Sequence, residues 1–90
     1  MDATTRKVNA LLAKYNLYSM KFFSCYILFT DEEDLITEKG HYISSDKFIY
    51  TAAANKSELL YFLEHADIEY LLYKIYKAKG MIQIIKPSKQ

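Results

Sequence analysis

Residues Tyr18–Thr30 read YSMKFFSCYILFT, and the way this stretch folds decides the class of the whole chain. Taken as a strand, its alternate residues face opposite ways. Phe22, Tyr26 and Leu28 then lie on one side, and Phe23, Cys25, Ile27 and Phe29 on the other. Both sides are apolar, which is the mark of a strand covered on both faces and so central in its sheet. A buried helix is the competing reading. The density of aromatic residues and the lack of a 3.6-residue period favour the strand.

Helical signals lie N-terminal to this stretch. Asp2 or Thr4 can cap a helix in which Val8, Leu11, Leu12 and Tyr15 repeat at i, i+3, i+4 and i+7, and Asn16 is a natural stop. C-terminal to it, the carboxylates of Asp31, Glu32, Glu33 and Asp34 require a solvated turn, because adjacent like charges cannot be buried unpaired. Leu35–Thr37 and His41–Ile43 flank Glu38-Lys39-Gly40, a loop whose last residue is free to take positive φ, so a hairpin is expected there. Ser44–Lys47 is a further turn, and Phe48–Thr51 a short strand.

Asn55 or Ser57 opens the next helix, with Glu58 in its first turn and Leu59, Phe62, Leu63 and Ala66 on its inner face. Asp67 reads as a fresh N-cap, so two helices with a bend near Ala66 are expected, although one long helix would also fit a segment with no glycine or proline. Gly80 suits the C′ position of a helix end. Met81–Ile85 is expected to form a final strand, and Lys86–Gln90 a frayed tail. The order α-β-β-β-β-α-α-β predicts a small two-layer α+β domain. Its antiparallel sheet would have four to five strands, with helices mainly on one face.

Composition agrees with one globular domain over residues 1–90. Half of the residues are hydrophobic and the net charge is +1, which excludes a disordered chain. Gly40 and Gly80 are the only glycines and Pro87 the only proline, so long elements with short turns are expected. The single cysteine, Cys25, excludes an internal disulfide; its neighbours Phe23, Tyr26 and Ile27 predict a buried thiol in a reducing compartment. Neither a signal peptide nor a membrane span is evident, so a cytoplasmic protein is expected. Arg6 is the only arginine among twelve basic residues, and isoleucine, tyrosine and phenylalanine are common. That bias is typical of AT-rich genomes and points to a low-GC bacterium, a phage or a virus, whose protein would act in host cytoplasm.

No catalytic constellation stands out, so no enzyme and no cofactor are expected. There is no G-x-S-x-G elbow, and two glycines forty residues apart cannot form a phosphate-cradling loop. Cys25 with His41 or His65 could form a nucleophile and base, but a thiol among bulky apolar neighbours is expected to be structural. Glu64, His65 and Asp67 could make an acid–base pair or half a metal site; a solvated bend capped by Asp67 is the simpler expectation. The Asp31–Asp34 run lacks the alternating ligands and turn glycine of a calcium loop, so no metal site is expected.

The segment Asp67–Gly80, DIEYLLYKIYKAKG, carries the functional clue. On a helix, Ile68, Leu71, Leu72 and Ile75 fall in one arc about 100° wide, while Tyr70, Tyr73 and Tyr76 occupy another, nearly opposite. Both arcs cannot face one sheet. Either the helix is buried nearly all round, or the tyrosines form an exposed stripe that binds another chain, with Lys74 and Lys77 on its rim. The second reading gives a non-enzymatic protein-interaction module, an accessory, regulatory or inhibitory protein that self-associates as a homodimer. The runner-up is a nucleic-acid-binding regulator. Lys74, Lys77, Lys79, Lys86 and Lys89 lie in a segment, residues 70–90, that contains no acid, and lysine with tyrosine is a recognised combination for single strands.

Overall fold

In the computed structural model, residues 2–31 and 47–80 are described. Three helices and three strands follow one another: α1 (Ala3–Tyr15), β1 (Tyr18–Phe22), β2 (Cys25–Phe29), β3 (Phe48–Tyr50), α2 (Lys56–His65) and α3 (Ile68–Ala78). The strands form an antiparallel sheet in the order β1-β2-β3. The α+β class therefore holds, with three strands among the described residues. The strands expected at 35–37, 41–43 and 81–85 lie outside those residues.

Helix boundaries follow their capping chemistry. The Asp2 carboxylate accepts from the Thr5 N–H at 2.8 Å and starts α1. Asn16, at φ 56°, ends it, and the next N–H, from Leu17, returns to the Leu12 carbonyl at 2.8 Å. Asn55 caps α2 through the Glu58 N–H, and the Glu58 carboxylate reaches back to the Ala54 N–H, so both side chains satisfy otherwise orphaned donors. Asp67 caps α3, confirming two helices separated at Ala66, whose extended ψ of 157° breaks the helical path. Gly80, at φ 80°, follows the C-cap Lys79 and supplies the left-handed exit expected of it.

Residues 18–30 do not form one strand. They fold back as a two-residue hairpin, with Phe22 opposite Cys25 and Tyr18 opposite Phe29. Phe23 takes φ 57° at the turn, and its ring is 89% exposed. No glycine marks this turn, which is why alternation read straight through it. Beyond the turn the parity changes, so Phe22 shares a face with Cys25, Ile27 and Phe29, not with Tyr26 and Leu28. The expectation of a central strand survives for its second half: β2 lies between β1 and β3, and Ile27, Leu28 and Phe29 are all buried on its two faces.

The helices cover the Leu28 face. Val8 and Leu12 of α1, Leu59 and Leu63 of α2, and Ile68 and Ile75 of α3 join Leu28 and Ile49 in one hydrophobic cluster. Each is a position the helical period placed inward. Leu11, Tyr15, Phe62, Ala66, Leu71 and Leu72 pack against its edge, half-buried. Cys25 is also half-buried, which corrects the expectation of a fully buried thiol.

A polar clasp joins β3 to β2 just before α2. Thr51 is the one buried polar side chain among the described residues. Its hydroxyl donates to the Tyr26 carbonyl at 2.7 Å and accepts from the Ala53 N–H at 3.0 Å. The Thr51 N–H donates to the same Tyr26 carbonyl, and the Tyr26 N–H donates to the Ala53 carbonyl at 2.9 Å. Ala52, between them, is an extra residue at φ 61°, so the chain bulges out of the ladder without losing its hydrogen bonds.

Two stability predictions follow from these features. Left-handed backbone at a non-glycine residue costs on the order of 1–2 kcal/mol, while the edge-on Phe22–Phe23 ring pair offsets ~0.5–1.5 kcal/mol. Phe23→Asn, which tolerates this backbone, should stay within ~1 kcal/mol of the parent in urea unfolding; Phe23→Val should lose at least ~1 kcal/mol. Losses of ~3 kcal/mol from both would show the ring to be core. Thr51→Val strands the Ala53 N–H and should cost ~1–3 kcal/mol, whereas Thr51→Ser keeps the hydroxyl and should cost ~1 kcal/mol or less.

Candidate protein-interaction face

The two arcs of α3 separate as the sequence requires. Ile68 and Ile75 are buried in the cluster, and Leu71 and Leu72 are half-buried against it. On the other side Tyr70 is 56% and Tyr73 44% exposed, with Lys74 and Lys77 exposed beside them. This overturns the alternative of a helix buried nearly all round. Tyr76 departs from the stripe: it is half-buried.

The exposed residues form an ordered array along the helix. The Tyr70 and Tyr73 rings lie nearly parallel, with centroids 6.5 Å apart. Lys74 Nζ sits 5.5 Å from the Tyr70 ring centre, and Lys77 Nζ 6.0 Å from that of Tyr73. Both are i, i+4 pairs, which a helix brings together, and each attraction is worth ~0.5–1 kcal/mol at an exposed site. These contacts bias the rings and the lysine stems toward one arrangement on the helix surface.

Of the lysines of the nucleic-acid reading, Lys74 and Lys77 lie over the tyrosine rings, and Lys79 has a different partner. Lys79 Nζ donates to Thr30 Oγ1 at 3.2 Å, pointing to the end of β2 and away from the tyrosines. Lys86 and Lys89 lie outside the described residues. Nor do Glu64, His65 and Asp67 assemble: the His65 imidazole lies tilted against the Tyr61 ring, with centroids 4.1 Å apart, and the Asp67 carboxylate accepts from the Tyr70 N–H at 3.1 Å as a cap. Among the described residues, no group of three or more His, Cys, Asp or Glu side chains is placed to hold a metal ion, and no helix is long and apolar enough to cross a membrane.

Sequence reasoning missed two features. One is a cleft of about 320 Å³ between β3 and the α2–α3 pair, lined by Phe48, Ile49, Phe62, Leu71 and Ile75, with Lys74 as its charged lining residue. Helical periodicity marked Phe62, Leu71 and Ile75 as inward residues, but only the tertiary arrangement leaves space between them. The other is a set of exposed aromatic residues off the stripe: Tyr18, Phe23, Tyr50 and Tyr61. Tyr18 and Tyr50 share the sheet face that points away from the helices, because they oppose Phe29 and Ile27 in the ladder. That assignment depends on the hairpin turn at Phe23, which had no sequence signal.

On the same sheet face, a hydrogen bond to Cys25 raises the Tyr50 phenol above its ordinary value of 10.0, and the nearby cysteine charge adds to the effect. The contact favours the neutral phenol, so it is fully present below pH 10 and lost as pH rises through the raised value. In an NMR titration of ring-labelled protein, the Tyr50 midpoint should lie above 10.0, and Cys25→Ala should lower it. An unchanged Tyr50 midpoint in the variant would refute the contact. No family model matches this chain, nor does any curated protein or any solved structure, so its function must be sought in its own surface and chemistry.

Proposed function

We propose that this chain is a non-enzymatic protein-interaction module that self-associates through the outer face of α3. The observation that carries the reading is the exposure of Tyr70 and Tyr73 on the side of α3 opposite the buried Ile68 and Ile75. Folding does not require large rings there; contact does. Tyrosine offers broad apolar area at small entropic cost, and its hydroxyl keeps the free surface compatible with water. Lys74 and Lys77 form the charged rim. An accessory, regulatory or inhibitory role, exerted by occupying a protein surface in bacterial or host cytoplasm, is the biological setting that fits such a module.

The double variant Tyr70→Ser/Tyr73→Ser tests the reading, because neither ring contributes to the hydrophobic cluster. It should unfold within ~1 kcal/mol of the parent, as surface substitutions do. In light scattering at matched concentration its association should be lost. Ile75→Ala, by contrast, should cost ~2–5 kcal/mol because it opens a cavity in the core. A Tyr70/Tyr73 variant that unfolds like Ile75→Ala would make the rings structural and end the proposal.

A second reading, a nucleic-acid-binding regulator, is favoured by one arrangement. Lys74 and Lys77 lie over tyrosine rings, which combines phosphate neutralisation with a stacking platform. Single-stranded DNA or RNA should then bind at low salt, with affinity falling steeply as salt is added. Absence of binding at low salt rejects this reading.

A further inference from the structure

We infer that the partner on the outer face of α3 is a second copy of the chain, docked antiparallel across a two-fold axis at Tyr73; this rests on the interaction reading above. At ~100° per residue, Glu69, Tyr70, Tyr76 and Lys77 all fall within about 60° of Tyr73, and the buried Ile68 and Ile75 lie on the far side with the half-buried Leu71. The face is acidic at its start, with Glu69, and basic at its end, with Lys77. Parallel pairing would set Glu69 against Glu69 and Lys77 against Lys77. Antiparallel pairing about Tyr73 sets Glu69 of each copy beside Lys77 of the other, since the two residues are equally spaced on either side of the axis. It also opposes the two helix dipoles. Tyr70 then meets Tyr76 of the second copy, and the two Tyr73 rings meet at the axis.

Charge and area bound the affinity. A net charge of +1 gives two copies little repulsion to overcome. The eleven residues of α3 extend only about 16 Å, and a stripe of that length falls well short of the ~800 Å² per partner of a standard interface. The dimer is therefore weak and concentration-dependent, and its two symmetry-related ion pairs make it sensitive to salt.

Charge exchange and cross-linking test the arrangement, with folding of each variant checked by circular dichroism. Glu69→Lys and Lys77→Glu should each weaken dimerisation in analytical ultracentrifugation, by about five- to tenfold for two reversed exposed pairs. The double variant Glu69→Lys/Lys77→Glu restores both pairs and should return to within about twofold of the parent. A parallel dimer would show neither the weakening nor the restoration. In a Cys25→Ser background, Tyr73→Cys should form a disulfide dimer on oxidation. Helix axes 8–10 Å apart bring facing Cα atoms to roughly 3.4–5.4 Å, which overlaps disulfide reach, whereas Tyr61→Cys on α2 should not cross-link. If the parent dimerises and Tyr70→Ser/Tyr73→Ser abolishes it, but the charge exchange fails to restore association, the antiparallel register is wrong and the interaction face stands. If the parent stays monomeric at millimolar concentration, both the inference and self-association fail.

Discussion

The clasp between Thr51, Ala53 and Tyr26 is the constraint on which the helical layer depends. The chain must leave an extended strand and enter α2 within a few residues, while its backbone groups remain paired against the central strand. Thr51 manages this with a single hydroxyl that donates to one backbone group and accepts from another. The left-handed Ala52 absorbs the extra residue. Because Asn55 and Glu58 cap α2 immediately afterwards, the entry point of that helix is fixed from both sides. Leu59 and Leu63 then meet Leu28 and Ile49, and the cap at Asp67 redirects the chain so that Ile68 and Ile75 enter the same cluster.

This arrangement explains why a small sheet can support three helices. A short chain has a modest core, so its central strand must be used on both faces. Leu28 serves the helical side, and Ile27 and Phe29 are buried on the other. The stacked Tyr18–Phe29 pair, with ring centroids 5.6 Å apart, extends that second apolar face toward β1. Both faces therefore carry aromatic residues, which accounts for much of the unusual tyrosine and phenylalanine content.

What was legible in the sequence was whatever has a local cause. Asp2, Asn55 and Asp67 start helices through side-chain hydrogen bonds that span only a few residues, Asn16 ends one through its left-handed backbone, and each is where its chemistry places it. The inward positions of all three helices followed from their period. The hairpin turn at Phe23 was not legible, because strand pairing imposes positive φ on a residue that does not favour it intrinsically. Reading through that turn also put Phe22 on the wrong face. At the candidate site, the opposition of tyrosine and aliphatic arcs was evident from spacing alone. The half-burial of Tyr76 and the diversion of Lys79 to Thr30 were not, the latter because it depends on a residue remote in sequence.

The division of α3 into two faces also affects how such a surface can change over generations. Tyr70 and Tyr73 contribute nothing to the hydrophobic cluster, and Ile68 and Ile75 are buried within it. Substitutions at the outer and at the inner positions of the same eleven-residue helix therefore differ in their consequences for folding. The outer positions can change without a compensating change in the core. Tyr76, half-buried, is the position where the two faces meet, and it should be the slowest of the three tyrosines to vary.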